Sequence, residues 1–437
     1  MQGRSFRQGR ALVCSIMLTV SGAPLVGAQD PATPVPVSVS GEVRIRSEWD
    51  NPAGGLHSDM YTYMRARLGV RADITPSTHL VLQGQDSRVF GAENNLSTNS
   101  PDVFDLHQGY LELSRKWGQR SATARVGRQE IDLGNERLVG SAGFSNYARS
   151  FDAVRVTLAS KSPKTSAPVW SATIFAATMD EHGRHFGSTG TAVADNSDHA
   201  VIGAYATRTA AHLTGDATIL IDDDAKYRRF EHANRTTFAL HVRSDVARPI
   251  GLEVEGAVQQ GHQQVTKTTT ADAMPQAIRA WFGSVHVVRA PRAGRRTSAT
   301  VGVDVLSGDG TPTDGTYSGF STMYATDHGY YGLLDLLPDP TGRITDRGFT
   351  DAFVAAATTI NQHASVKVEL HQFAPQAGDR RPLGTEGNII VPIKFSTSTS
   401  MDVGFAAFRG AGGASSAGLG APGSYRQWLF LQLRAGF

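Results

Sequence analysis

Apolar and polar residues alternate along almost the whole chain from residue 37 onward. The first such segment, residues 37–49, places Val43 and Ile45 on one face and Arg44 and Arg46 on the other. A period of two predicts a β-strand with one apolar face. The same alternation recurs at residues 61–72, 78–90, 105–115, 120–131, 150–160, 167–179, 198–208, 211–222, 234–247, 249–261, 276–290, 296–306, 350–361, 364–374, 385–397, 400–409 and 424–437. The pattern predicts an all-β protein of about eighteen strands.

The connections between these segments alternate in length. Those after even-numbered strands are short and contain Gly or Pro, as in 73–77, 116–119, 162–165, 248–249 and 291–294. Those after odd-numbered strands are mostly longer, as in 91–104, 132–149, 180–197, 262–275 and 307–349. Short turns on one side and long loops on the other are typical of a transmembrane β-barrel. We therefore expect a single antiparallel barrel with long extracellular loops and short periplasmic turns.

Both ends of the chain indicate a secreted membrane protein. Residues 1–28 have the form of a signal peptide, with Arg4, Arg7 and Arg10 before a short apolar run and small residues before Gln29. A linker over 29–36 and a barrel over 37–437 would follow. The last strand ends on Phe437, as in outer-membrane barrels of Gram-negative bacteria. We expect an outer-membrane location, contact with its lipid, and recognition of Phe437 by the barrel-assembly machinery.

Composition narrows the function. The only cysteine, Cys14, lies in the predicted signal peptide, so the mature chain would have neither a disulfide nor a zinc-thiolate site. Removing residues 1–28 takes away three Arg and no acid, which changes the net charge from +2 to −1. Such a near-neutral protein is not expected to bind nucleic acid.

Arginines recur on the polar faces of the first strands. They are Arg44, Arg46, Arg65, Arg67, Arg71, Arg128 and Arg155, interspersed with Glu42, Glu48, Glu112 and Glu130, while Arg137 and Arg149 lie in a long loop. A guanidinium is always charged and matches a carboxylate with two hydrogen bonds. An arginine-lined lumen would favour anions, and a uronate chain carries a carboxylate on every sugar. Each arginine could equally brace the barrel wall through an acidic neighbour, and both interpretations stay open.

Two sequence blocks resemble the alginate export family. The first runs from Gly127 to Ser141 and continues through 144–146 and 149–155; the second comprises 306–309, 320–328 and 331–335. Shorter similarities are 371–373 and 384–386, whereas Asn388 departs from the family, in which a carboxylate often stands there. The resemblance implies an eighteen-stranded outer-membrane channel that passes an anionic polysaccharide such as alginate by passive diffusion. Periplasmic export components would be further partners.

Other functions have weaker support. A porin for other small anions is an alternative, and so is an outer-membrane enzyme, although no Gly-x-Ser-x-Gly elbow is present. The acidic loop around Asp309 and Asp314 lacks the spacing of a calcium-binding EF-hand. His328 and His371 have no partner at metal-ligand spacing. Tyr330 and Tyr331 could form a sugar platform or pack at the membrane interface. We expect no cofactor, no metal site and no enzymatic activity.

Overall fold

The structure, a computed structural model, describes residues 34–52, 58–90, 103–162, 168–180, 185–186, 192–193, 199–210, 212–224, 230–244, 250–265, 274–291, 296–311, 313–336 and 345–437. The compact unit that holds the strands begins at Pro36 and ends at Phe437. The predicted signal peptide 1–28 and most of the predicted linker 29–36 lie outside the described residues. Most of the predicted long loops 91–104, 180–197 and 262–275 also lie outside them.

Eighteen long strands form the barrel, each close to a segment that the alternation predicts. They are β1 (Val37–Asn51), β2 (Asp59–Thr75), β3 (Thr78–Phe90), β4 (Val103–Trp117), β5 (Arg120–Gln129), β6 (Phe151–Lys161), β7 (Pro168–Asp180), β8 (His199–Ala210), β9 (Leu213–Asp224), β10 (Phe230–Ser244), β11 (Gly251–Val265), β12 (Met274–Arg289), β13 (Thr297–Leu306), β14 (Phe349–Thr359), β15 (Ser365–Pro375), β16 (Gly384–Lys394), β17 (Thr399–Gly410) and β18 (Tyr425–Gly436).

Three short strands and three 3-10 helices supplement them in the described part of the chain. His185–Phe186 pairs with Ala192–Val193, and Thr316–Tyr317 pairs in parallel with β12. The 3-10 helices are Asp327–Gly329, Thr345–Arg347 and Ser415–Ala417. Among the described residues, no helix has the length and hydropathy needed to cross a membrane.

Each strand pairs in antiparallel register with its neighbour in the chain, and β1 pairs with both β2 and β18. Val43, for example, lies opposite Ala66 on one side and Ala435 on the other. The barrel is therefore closed: β1 pairs on both sides, so among the eighteen long strands described the wall has no free edge strand. The unpaired N–H and C=O groups of such an edge would each cost several kcal/mol in lipid. The prediction of a closed antiparallel barrel of about eighteen strands is confirmed.

The two ends of the barrel differ as predicted. Residues 76–77, 118–119 and 395–398 are tight connections at one end, which also holds the start of β1 and the end of β18. We call this end the short-turn rim. The opposite end, the long-loop rim, carries the connections at 130–150 and 307–348.

The outer face of the wall is apolar. Apolar residues that alternate with polar ones along β1, β2 and β18 are exposed on the isolated barrel, by 38–56%: Val43, Ile45, Leu68, Val70, Leu431 and Leu433. The hydrophobic core lies inside the barrel instead, where lumen residues such as Phe175 and Phe282 pack against loop residues such as Leu138 and Phe320. A barrel this wide encloses more space than its own side chains fill, and here the long loops occupy that space.

The terminal Phe437 joins the two ends of the wall. Its backbone N–H donates to the Gly41 carbonyl at 3.0 Å, and it accepts from the Gly41 N–H at 3.2 Å. Its ring covers Gly41, where a Cβ would meet the ring at 2.3 Å, so a larger residue at this position would displace the ring. Phe437 is nevertheless 80% exposed on the isolated barrel.

Deleting Phe437 should lower the folded, heat-modifiable fraction of the protein in outer membranes, because its contacts with Gly41 are lost together with the assembly signal that the sequence predicts. The measurement is gel mobility with and without heating. Leu433→Ala, which also removes an exposed apolar side chain from β18, is the control. Equal folded fractions in the two variants would show that Phe437 is only a lipid-facing residue.

Candidate functional site

Two loops from the long-loop rim fold into the lumen and bind each other there. Val139 of the 130–150 loop forms a parallel bridge with Tyr324 of the 307–348 loop. The Gly140 N–H donates to the Tyr324 carbonyl at 2.9 Å, and the Tyr324 N–H donates to the Leu138 carbonyl at 3.0 Å. Together with their buried apolar side chains, these contacts make one plug of the two loops.

Arginines of β1 and β2 hold the tip of the 130–150 loop. Arg44 donates to the carbonyls of Gly143 and Ser145 at 2.7 and 2.8 Å. Arg65, opposite Arg44 in register, donates to the same two carbonyls at 3.1 and 3.2 Å and forms an ion pair with Glu42. Both arginines are at least 96% buried. Their contacts are those of braces, one of the two roles that the sequence left open.

Arg46 and Arg149 also contact loop backbone. Arg46 donates to the Phe144 carbonyl and forms a buried ion pair with Glu48 at 2.6 Å. Arg149 donates to the carbonyls of Gly140 and Tyr324. Unlike Arg44 and Arg65, both side chains also line a cavity, described below.

Glu130 lies at the start of the loop and joins two strands. Arg67 contacts its carboxylate at 3.2 Å, and His107 contacts the same carboxylate at 2.7 Å. Arg155 points to the same place and donates to the Glu130 carbonyl at 3.4 Å. These predicted site residues are brought together, and they fix the point where the loop leaves β5.

Arg137 is the most deeply enclosed charge of the plug. It forms ion pairs with Glu255 and Asp304, each at 3.0 Å, and donates to the Tyr331 hydroxyl at 2.8 Å. Its guanidinium also lies 3.9 Å from the centroid of the Tyr330 ring. Burial opposes its charge, but Tyr331, Asp304 and Glu255 outweigh burial and hold the pKa of Arg137 well above its ordinary value. The charged side chain thus joins the 130–150 loop to β11 and β13 of the barrel wall.

Arg128 does not belong with these residues. It lies two positions after Val126, which is 53% exposed on the apolar outer face, and its bidentate partner is Asp152 at 2.8 Å. The prediction that Arg128 lines the lumen is wrong, because Arg128 shares a face of β5 with Val126, and its partner Asp152 shares a face of β6 with the exposed Val154. Residues 128–130 are polar at three consecutive positions, so the alternation does not show which of them faces the lumen.

The second block of family resemblance meets one of the shorter similarities in space. Glu386, in the segment 384–386, is fully buried and accepts from the backbone N–H groups of Leu333 and Leu334 at 2.6 and 3.2 Å. Gly332 has a φ of +89°, and a Cβ there would approach the Glu386 carboxylate within 2.4 Å. The segment 384–386 therefore fixes the turn at 331–334 against the wall.

A cavity of about 710 Å³ remains between the plug and the long-loop half of β1, β2 and β18. We call it the outer chamber. Its cations are Arg46, Arg149 and Arg426, its carboxylates are Glu48, Asp50 and Asp335, and its rings include Tyr61, Tyr63, Tyr147 and Trp428. The Glu48 carboxylate is engaged by Arg46 and by the Trp428 indole N–H at 2.8 Å. Arg426 is 35% exposed in its side chain and approaches Asp50 at 3.4 Å.

A second cavity of about 300 Å³ lies toward the short-turn rim, and we call it the inner chamber. Lys367 and Glu369 of β15, Asp402 of β17 and Arg434 of β18 line it. The two chambers share three lining residues, Phe144, His328 and Leu333. Each chamber carries cations and carboxylates in similar number, which differs from the expected lumen lined chiefly by arginine.

The weaker candidates of the sequence have structural roles. Tyr331 is 2% exposed and packs against Phe349, while Tyr330 lines the inner chamber. His371 contacts Asp351 at 2.9 Å, and His328 contacts Asp335 at 2.8 Å. Within the described residues, no group of three His, Cys, Asp or Glu side chains could hold a metal ion.

Sequence reasoning missed Phe144, Trp428 and Arg426 as lumen residues of interest. Phe144 stands in the first block of resemblance, and Arg426 and Trp428 occupy the lumen face of β18, on alternate positions with Leu429 and Leu431. The alternation along β18 could have placed Arg426 and Trp428 on the lumen face. The position of Phe144 could not be identified, because it depends on the fold of the loop.

This architecture defines a class of protein: a closed eighteen-stranded barrel, apolar outside and polar inside, is an outer-membrane channel. Solved structures of similar fold are the outer membrane protein OpdK from Pseudomonas aeruginosa (TM-score 0.57, 10% identity, covering 92% of this chain and 99% of that one) and OccAB1 from Acinetobacter baumannii (TM-score 0.57, 12% identity, covering 91% and 97%). OccK11 (OpdR) from P. aeruginosa is similar, with a TM-score of 0.54 at 12% identity, covering 91% of this chain and 96% of that one.

The model of the alginate export family matches residues 35–337, and the chain belongs to this family. No protein of curated function matches the sequence. The location is the bacterial outer membrane, so the long-loop rim faces the outside of the cell, as in other such barrels. The family and the fold are those of channels.

Replacing Arg137 with Met should lower the free energy of unfolding by about 3–5 kcal/mol, because Glu255 and Asp304 would be left buried without their cation. Urea titration of the barrel in lipid vesicles measures this quantity. Arg128→Met is the matched control: its pair with Asp152 is only partly buried on the outer face of β5, and its loss should cost at most about 1 kcal/mol. Similar losses in the two variants would contradict the role assigned to Arg137.

Proposed function

We propose that this protein is a passive diffusion channel for acidic oligosaccharides of the uronate type, with no enzymatic activity. Family membership supports the ligand class. The observation that carries the proposal is the outer chamber, where guanidinium groups and aromatic rings surround one solvent-filled space at the mouth of the barrel.

The chemistry of the outer chamber suits an acidic sugar. A guanidinium can bind a carboxylate with two parallel hydrogen bonds. Rings such as Tyr61 and Trp428 offer flat apolar faces against which a sugar ring can pack. The carboxylates of Asp50 and Asp335 keep the cations from binding an anion too tightly, and conduction requires that release.

Arg426 is the cation we assign to first contact with the solute. Arg44, Arg65 and Arg137 are buried in contacts with the plug or the far wall. Arg426 instead comes from the wall near the long-loop rim, contacts Asp50 at 3.4 Å and is 35% exposed in its side chain. Anion preference would then rest on Arg426, supported by Arg46 and Arg149, rather than on a continuous row of arginines.

A second candidate is a channel for small carboxylates. It is favoured by the size of the inner chamber, about 300 Å³, which stands at the lower limit of ordinary ligand cavities. Liposome swelling with a mannuronate monomer, a tetramer and uncharged sugars of matched size would separate the two. Entry of the monomer but not the tetramer would favour the second candidate.

Arg426→Glu should lower the ratio of anion to cation permeability in planar bilayers about five-fold, since one charge reversal near the path is worth roughly 1 kcal/mol or more. The measurement needs low salt, because screening weakens the effect. Arg128→Glu, the same reversal on the outer face of β5, should leave the ratio unchanged.

Two results would contradict the proposal. An unchanged ratio of anion to cation permeability in Arg426→Glu, with the barrel folded, would show that Arg426 does not contact the permeating ions. Equal entry of uronates and uncharged sugars into liposomes would remove the anion preference itself.

A further inference from the structure

The outer and inner chambers meet at a pair of stacked rings. Phe144, from the 130–150 loop, and His328, from the 307–348 loop, have ring centroids 3.6 Å apart and planes inclined by 12°. Both line both chambers, and Leu333 is the third residue that does so. The rings therefore stand at the boundary between the two chambers.

The surroundings hold the pair in place. The Arg46 guanidinium lies 3.8 Å from the centroid of the Phe144 ring. Two groups at such distances cannot share one face of a ring, so Arg46 and His328 cover opposite faces of Phe144. Trp428 and Phe430 of β18 meet Phe144 edge to face, at 6.0 and 5.6 Å between centroids. The Asp335 carboxylate lies 2.8 Å from Nδ1 of His328 and holds the His328 ring in place.

The pair differs from the buried rings of the plug. Phe320 and Phe349 are at most 2% exposed and line neither chamber, as expected of residues that only pack. Phe144 is partly exposed, and it packs at the edge of the hydrophobic cluster rather than within it. The pair is thus tightly stacked and yet borders a chamber on each of two sides.

We propose that the Phe144–His328 pair is an aromatic barrier that sets the size limit for solutes moving between the outer and inner chambers. The two rings belong to different loops, so a solute passes only where the loops let the rings part. Narrow apolar constrictions restrict both ions and polar solutes because they exclude the water that accompanies them. The inference rests on the channel class and applies to any solute, so it does not depend on uronate being the ligand.

Single-channel conductance tests the barrier directly. Phe144→Ala and His328→Ala should each raise conductance by roughly two-fold or more, since either removes half of the constriction. The control is Phe320→Ala, which removes a ring of equal size from the plug but not from the path. It should leave conductance near that of the unchanged protein. An equal rise in Phe320→Ala, or no rise in the first two variants, would overturn the proposal.

Thiol accessibility gives a second, independent readout. In a Cys14→Ser background the chain has no other cysteine. We would place a cysteine in the outer chamber (Asp50→Cys) or in the inner chamber (Lys367→Cys) and add a charged thiol reagent from the long-loop side of a planar bilayer. Asp50→Cys should react quickly and Lys367→Cys slowly, and Phe144→Ala should accelerate only the second reaction. Equal rates at both positions with Phe144 present would contradict the barrier.

Discussion

The arrangement of the lumen depends on how two arginines satisfy the backbone of one loop tip. A loop that enters the barrel brings carbonyl groups into a space where water is scarce, and each must find a donor. Arg44 and Arg65 supply several N–H groups each and direct them at the carbonyls of Gly143 and Ser145. Without them the 130–150 loop would have unpaired carbonyls inside the wall.

The position of that loop determines the rest of the plug. The 307–348 loop hydrogen-bonds to it through Gly140 and Tyr324, and Arg137 ties it to β11 and β13. The space left beside the two loops is the pair of chambers, and the loop tip carries Phe144 to their junction. Charges that a sequence would assign to ligand binding thus contact the plug, and in the proposed function selectivity rests on the few cations that line the outer chamber.

The sequence predicted the wall well and the lumen poorly, for a physical reason. Strand alternation is a local pattern, so Val43, Ile45 and Leu431 could be assigned to the outer face from their neighbours alone. The partners of a loop are set by contacts between residues far apart in the chain, as between Arg44 and Gly143. Arg44 lies on the lumen face of β1 whether its guanidinium contacts a solute or a loop carbonyl. The alternation pattern therefore cannot distinguish these two roles. The family resemblance identified the segments 320–328, 331–335 and 384–386. It did not show that 331–335 and 384–386 contact each other.

The central claim is that Arg44 and Arg65 brace the plug instead of contacting the solute, and the conductance of the double variant Arg44→Leu, Arg65→Leu tests it most directly. If the arginines are braces, the loop tip loses its donors, the plug loosens, and single-channel conductance rises toward that of an open barrel with large fluctuations. If they are solute contacts, the pore keeps its conductance and steadiness while its preference for anions falls. The second result, in a folded barrel, would contradict the account.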